Sequence, residues 1–330
     1  MEEQMSYWNK KRVLVTGGAG FVGSHLVERL IEEGARVKVV DDLSRGEPKN
    51  LDDCREKIDF IKGDLSHFAL CEEVCTKIDV VMHLAAKVAG VGYNLRHPGT
   101  MFYANVLINT NMLGAARKAR VKRFLCVSSA CVYTRHCSIP TPESEGFQGD
   151  PEPTNFGYGW SKRIAEIQAR CYSEEFGMEI AIVRPYNAYG PRDDFDLDVA
   201  HVIPALIRKV MEEQDPLVVW GDGEQTRAFV YVSDLVRGMM LAAEKYPKAD
   251  PLNIGTEEEV KIKDLVELIL SISGKRPRVI FDPQKPAGQP RRNADISKAK
   301  KLIGYEPQVS LKEGLEKTIE WYRSQGRKRI

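Results

Sequence analysis

The chain has almost no net charge: 48 lysines and arginines stand against 47 aspartates and glutamates in 330 residues. That balance leaves no electrostatic footprint for nucleic acid, and no basic amphipathic run suits a membrane surface. No apolar stretch approaches the roughly 20 residues that span a bilayer. The first ten residues are polar and lack a signal-peptide core. The expectation is a cytoplasmic protein with neither nucleic acid nor membrane as partner. Internal repeats and low-complexity tracts are absent as well. The seven cysteines, Cys54, Cys71, Cys75, Cys126, Cys131, Cys137 and Cys171, are odd in number and irregularly spaced, which argues against a disulfide framework. Cys71 and Cys75 lie one helical turn apart, but no second pair completes a zinc site, so no metal is expected. Most of these cysteines read as small core residues.

What the chain does have begins at Val13, where Val-Leu-Val-Thr-Gly-Gly-Ala-Gly-Phe-Val-Gly reads as an apolar strand running into a glycine turn and a helix. Gly18, Gly20 and Gly23 satisfy G-x-G-x-x-G, and Gly17, Gly20 and Gly23 satisfy G-x-x-G-x-x-G. Either spacing lets a turn at positive φ bring backbone close to a pyrophosphate, with the helix N-terminus aimed at the phosphates. The segment His25–Glu33 carries Leu26, Val27, Leu30 and Ile31 at helical spacing and ends at Gly34. A second apolar strand, Arg36–Val40, leads to Asp41, 18 positions after Gly23. An acidic side chain at that distance meets the adenosine ribose hydroxyls and repels a 2′-phosphate, so the expected cofactor is NAD.

Strand-like runs at 59–62, 80–84 and 124–128 alternate with helical segments at 68–76 and 103–120, and a helix at 158–176 and a strand at 179–184 follow. This alternation predicts an α/β fold, a Rossmann-type doubly wound parallel sheet. Ligands of such sheets lie beyond the C-terminal strand ends. The expected cofactor contacts are therefore Gly17, Gly20, Phe21, Val22, Asp41, Asp64, Leu65, Leu84, Ala85 and Ala86, joined by Tyr158 and Lys162. After Pro185 prolines recur and elements shorten. Residues 1–185 read as the dinucleotide-binding domain and 186–330 as a smaller C-terminal substrate-binding lobe, with some strand returning to the first domain.

Tyr158 and Lys162 stand four apart at the start of a helix, on one face. An ammonium and an oxidised nicotinamide nearby both favour the phenolate, which could take a hydroxyl proton while hydride leaves. Ser128-Ser129 precedes Tyr158 by roughly 30 residues at a strand end, and Ser129 could hold the same substrate oxygen.

These residues resemble the extended short-chain dehydrogenase/reductases, which mostly modify nucleotide sugars. The likeness runs from Thr16–Gly23 through Asp64-Leu65, His83–Ala86, Ser128-Ser129, Tyr158/Lys162 and Arg184–Asn187 to Arg227–Asp234. Dehydratases of that family carry an Asp-Glu pair after the serine, and this chain has Ala130-Cys131 there, which implies a different reaction. The run Ser-Ser-Ala-Cys-Val-Tyr is similar to that of the GDP-mannose 3,5-epimerases and GDP-L-fucose synthases. Their cysteine at this point is one half of an acid/base pair. The likeness implies that Cys131 and a second group, His201 at the start of a helix in the smaller lobe, invert a carbon beside a transient C4 ketone.

Val218–Arg227 and Phe281–Arg292 match segments that hold a GDP moiety in the fucose synthases. The implied substrate contacts are Asn187, Val202, Lys209, Trp220, Arg227 and Arg292, with the basic residues neutralising a diphosphate. Fucose synthases lack the acidic strand tip and consume NADPH, whereas this chain keeps Asp41, as the mannose epimerases do. The combined pattern implies a closed cycle of C4 oxidation, inversion at C3 or C5 and C4 reduction on one NAD. A fucose-synthase-like 4-keto-sugar epimerase/reductase and a simple 4-epimerase are the alternatives. A non-catalytic NAD-binding protein is disfavoured by the retained Tyr158/Lys162 pair. The resemblance also implies a homodimer built on a four-helix bundle from segments 103–120 and 158–176, with Ile164, Ala165, Gln168 and Tyr172 compatible with such a face.

Overall fold

Alternating burial along β1 (Arg12–Thr16) divides the interior in two. In the computed structural model, which describes residues 5–197, 199–285 and 290–327, Val13 and Val15 face one apolar core and Leu14 faces the other. Four of the five β1 residues are fully buried, as befits a parallel strand covered on both faces. Each of the three aliphatic side chains among them, Val13, Leu14 and Val15, contributes about 1.5–3 kcal/mol by leaving water.

From β1 the chain passes through α1 (Phe21–Glu32), β2 (Arg36–Asp41), β3 (Ile58–Lys62), α2 (Phe68–Cys75), β4 (Val80–His83), α3 (Val91–Arg96), α4 (Pro98–Lys118), β5 (Arg123–Val127), α5 (Phe156–Phe176) and β6 (Glu179–Pro185). It continues through β7 (Ala188–Tyr189), α6 (Val202–Met211), β8 (Leu217–Trp220), β9 (Thr226–Ala228), β10 (Val230–Tyr231), α7 (Val232–Lys245), β11 (Lys248–Ile254), β12 (Glu259–Lys261) and α8 (Ile262–Ser273). The last elements are β13 (Val279–Asp282), β14 (Arg291–Arg292), α9 (Ser297–Ile303) and α10 (Leu311–Arg327). The main sheet has seven strands in the order β11-β6-β5-β4-β1-β2-β3, and every neighbouring pair is parallel. Buried residues of α1 and α7 join one core, and those of α2, α4 and α5 join the other. The order reverses between β1 and β4, which opens a crevice at their C-terminal ends.

Outside this sheet, β9 pairs antiparallel with β12 and parallel with β14, while β13 pairs with β8 and β10 with β7. Two helices begin earlier than their apolar periodicity suggests. Helix α1 starts at Phe21 because Gly20 is its N-cap, and α4 starts at Pro98, a first-turn proline with no N–H to leave unpaired. Ala165 is buried, and Gln168 exchanges hydrogen bonds with Asn109 at 2.7 Å and Thr110 at 2.6 Å. These two residues, compatible in sequence with a subunit face, are engaged inside the chain against α4. No helix among the described residues is long and apolar enough to cross a membrane.

Candidate active site

The crevice is lined largely by backbone. Gly17 has φ +69°, and a Cβ there would lie 3.0 Å from Ala85 Cα and N. A Cβ on Gly23 would sit 2.1 Å from Gly17 O, so only glycine lets α1 pack onto the turn. Gly18 instead packs against Val39 of β2, so the spacing that defines the turn is Gly17-x-x-Gly20-x-x-Gly23. No side chain caps α1, and Phe21 and Val22 form its first turn. Asp41 is buried at the tip of β2, where Oδ2 accepts from Ala19 N and Oδ1 from Leu43 N, both at 2.9 Å. Burial raises its pKa while the two backbone N–H groups oppose the rise. Both oxygens keep further acceptor capacity.

At the end of β3, Asp64 Oδ1 accepts from Ser66 N at 2.8 Å, and Asn111 Nδ2 donates to the carbonyl of buried Leu65 at 3.1 Å. After β4, Leu84 N donates to Thr16 O and Ala85 N to Thr16 Oγ1, which also meets His83 Nδ1 at 2.8 Å. Burial, then the Lys162 charge, lowers His83 to about 3, so it stays a neutral member of the scaffold. Ala86 follows in the same segment, which Asn105 pins through Lys87 N at 2.9 Å. An uncapped helix start, a glycine cradle that any Cβ would fill, and a buried acceptor pair 18 residues beyond it fit a dinucleotide.

Two glycines seat the next group. A Cβ on Gly157 would lie 2.2 Å from Pro98 O and one on Gly159 would lie 2.5 Å from Cys131 O, so the start of α5 presses against both neighbours. Tyr158, between them, is hydrogen-bonded to Ser129. Ser129 Oγ also accepts from Cys131 N at 3.1 Å. Lys162 Nζ sits 5.6 Å from the Tyr158 ring centroid and donates to Val127 O at 2.8 Å. Burial, then the neighbouring Cys131, raises the Tyr158 pKa, with Ser129 opposing. Sequence reasoning expects Lys162 to favour a phenolate, but burial prevails and the protein alone keeps a phenol. Burial likewise lowers Lys162.

Half-buried Cys131 lines a small cavity with Tyr133, Cys137, Thr141, Tyr186 and Arg292. Its Sγ receives Arg292 Nη2 at 3.9 Å. Burial alone would lower Arg292, and Cys131 and Tyr186 more than reverse this. His201 is the N-cap of α6. Water reaches the residue, yet protein crowding and then the charges of Arg45 and Arg292 pull its pKa below the usual histidine value, with Asp194 opposing. Arg292 thus has Cys131 at its tip and His201 within electrostatic reach.

Arg292 lies directly opposite Arg227 in the parallel β14–β9 pair. Burial, then Arg292, drives Arg227 down to about 10, with Glu259 opposing. Arg227 Nη1 donates to Thr226 O at 2.7 Å, and Asn187 Nδ2 donates to Ala228 O on the same strand at 2.9 Å. Lys209 is tied to β8 instead, with Nζ on Val218 O at 2.9 Å and two donor positions remaining. Trp220 ends β8 with its side chain exposed, and Val202 is exposed in the first turn of α6. Within the segment Phe281–Arg292, residues 286–289 lie outside the described residues.

Sequence reasoning missed the support behind Ser128-Ser129. Ser128 Oγ donates to Glu166 Oε1 at 2.5 Å, and Arg184 grips both Glu166 oxygens, at 2.8 and 2.7 Å. Arg184 also donates to Tyr133 Oη at 2.9 Å, and Tyr133 donates to Asn253 Oδ1 at 2.6 Å. The only advance signal was Glu166 lying one turn beyond Lys162.

Residues 13–255 match the model of the NAD dependent epimerase/dehydratase family. A dTDP-4-dehydro-6-deoxy-D-allose reductase of Streptomyces sp is 33% identical over 322 residues, covering 96% of this chain and 97% of the relative. GDP-mannose 3,5-epimerase 1 of Oryza sativa subsp. indica is also 33% identical, over 98% of this chain and 85% of the relative. Among solved structures, UDP-glucose 4-epimerase of Thermotoga maritima superposes with a TM-score of 0.86 at 34% identity, covering 95% of this chain and 99% of that one. Three reactions and three nucleotides at equal identity mean that overall similarity leaves the reaction open. What the fold, the crevice and these likenesses together establish is that the chain belongs to the NAD dependent epimerase/dehydratase family of nucleotide-sugar enzymes.

Proposed function

We propose that the protein is a nucleotide-sugar epimerase of the GDP-mannose 3,5-epimerase kind, inverting C3, C5 or both of a hexose beside a transient C4 ketone. The observation that carries this reading is the position of Cys131, between the Ser129–Tyr158 pair and Arg292. NAD, held by Gly17, Gly20, Phe21, Val22, Asp41, Asp64, Leu65 and Leu84–Ala86, supplies the chemistry of taking hydride from C4 and returning it. With the positive charge of a bound oxidised nicotinamide added to that of Lys162, the Tyr158 phenol gives its proton to solvent; the phenolate then takes the C4 hydroxyl proton while Ser129 holds that oxygen.

A 4-keto group acidifies the adjacent C–H bonds, so one of Cys131 and His201 removes a proton from one face while the other returns a proton on the opposite face. Arg227 and Arg292 hold the diphosphate, and Asn187, Val202, Lys209 and Trp220 complete the nucleotide side. Support for GDP is the match of Val218–Arg227 and Phe281–Arg292 to GDP-holding segments. In this reading the protein is a cytoplasmic homodimer joined through α4 and α5.

The test is incubation of the purified enzyme with GDP-mannose and related GDP-, UDP- and dTDP-sugars in deuterated water, with label mapped by NMR. Deuterium should enter C3 or C5 in the wild type, vanish in Cys131→Ala and His201→Asn, and persist with a shifted pH profile in Cys131→Ser. Turnover without incorporation would replace this reading with a simple 4-epimerase, for which Ser129, Tyr158 and Lys162 suffice.

A further inference from the structure

The short segment after β7 touches the dinucleotide side of the molecule at three residues, Pro191, Arg192 and Asp194. The Pro191 carbonyl accepts from His25 Nε2 of α1 at 2.9 Å. Arg192 Nη2 reaches Glu28 Oε1, one turn further along α1, at 2.6 Å. Asp194 Oδ2 receives Arg45 Nη2 at 2.7 Å. Arg45 stands on the loop after β2, and its other amino group donates to Val88 O, in the segment after β4, at 3.3 Å. In the strand order β4-β1-β2, a side chain that runs from the β2 loop to the β4 loop must cross above the end of β1, where the glycine turn lies. The loop that carries Arg45 is itself bound to that turn, through Glu47 N on Ala19 O at 3.0 Å and Asn50 Nδ2 on Ala19 O at 2.9 Å.

Two further features set the segment apart. Arg192 has φ +67°, a left-handed conformation that a non-glycine residue holds only when its surroundings fix it. Among the described residues, four buried side-chain polar atoms lack a partner, and two of them, Arg192 Nη1 and Asp193 Oδ2, belong to this segment. Both atoms are buried, so this segment holds two polar atoms without a hydrogen bond.

We propose that residues 190–194 form a strap across the dinucleotide crevice, latched by the Arg45–Asp194 ion pair, and that this latch slows release of the bound NAD. The proposal rests on the dinucleotide reading above and adds to it two residues, Arg45 and Asp194, that the nucleotide-binding motif does not contain. Both side chains are substantially exposed, at 43% and 36%, so the latch is weak and reversible, as a cofactor that must at some point load requires. Both charges also lie within electrostatic range of His201. An enzyme that reuses one dinucleotide through a closed redox cycle needs such retention.

The experiment measures NAD on the purified full-length protein, by release after desalting and by titration calorimetry of the stripped protein, for the wild type, Asp194→Asn, Arg45→Gln and the double variant. Each single variant should lose NAD about three- to five-fold faster than the wild type, the range an exposed ion pair supplies. The double variant should lose it no faster than the worse single, because both changes remove one interaction. Melting of the NAD-free proteins should coincide, since both positions are exposed. Retention unchanged in Asp194→Asn overturns the strap, as do additive losses in the double variant, which would make Arg45 a direct phosphate contact only. A wild type that binds no NAD overturns the dinucleotide reading, and the strap falls with it.

Discussion

Two arginine pairs within this molecule face opposite electrostatic conditions. Arg184 and Glu166 are both only 1% exposed, and each polar atom between them is matched: two guanidinium–carboxylate bonds, the Ser128 hydroxyl, the Tyr133 phenol and the Glu143 carbonyl. Burial alone would lower Arg184, but Glu166 and then Tyr133 raise it well beyond the ordinary arginine value. Arg227 and Arg292 lie side by side on β9 and β14, and burial, then the like charge of Arg292, draws Arg227 down to about 10. The first pair is complete within the chain and holds α5 and the end of β5 in register. The second sets two like charges side by side, so the two clusters separate by whether an arginine's neighbour is a carboxylate or another cation.

The largest expected effect comes from breaking the complete pair. Glu166→Ala should cost about 3–5 kcal/mol in urea unfolding, because it leaves a buried guanidinium without its carboxylate. A loss below about 1 kcal/mol would mean that the pair does not hold α5 to the end of β5. Breaking the Arg227–Arg292 pair should do the reverse. In Arg292→Met stability should hold within about 1 kcal/mol, while nucleoside-diphosphate affinity by calorimetry falls about ten- to a hundred-fold. Equal affinity in wild type and variant would remove the diphosphate from this site.

A smaller effect sharpens the contrast on the acidic side. Asp193 is buried, and that desolvation raises its carboxyl to about 7, with the Asp194 backbone N–H opposing. A carboxyl raised in the folded state is proton-rich relative to the unfolded chain, so its contribution is fully present below about pH 4 and lost as pH climbs through 7. Asp193→Asn should therefore stabilise the cofactor-free protein by about 1–2 kcal/mol at pH 8 and by nothing at pH 4. Denaturation midpoints at the two pH values check this, and an equal shift at both would refute the sign.

The legible parts of the fold were the local ones. The Val13–Gly23 strand, turn and helix, the acidic tip at Asp41 and the helical spacing of Tyr158 and Lys162 each depend on residues close in the chain, so composition and period disclose them. Even there the sequence left two glycine spacings open, and the positive φ of Gly17 chose between them. Gly157 and Gly159 were present in the sequence but meaningless until Pro98 and the Cys131 carbonyl came up against them. The resemblance implied Lys209 as a diphosphate contact, and its hydrogen bond to Val218 depends on how α6 meets β8.

The sequence by itself determined that this chain builds a parallel sheet with a glycine cradle for a dinucleotide, because backbone conformation and apolar period are set within a dozen residues. Only the tertiary structure decided which charges meet: Arg227 beside Arg292, Glu166 beneath Arg184, Arg45 across to Asp194. Electrostatic energy depends on distance and burial, and neither is fixed until elements far apart in the chain have packed.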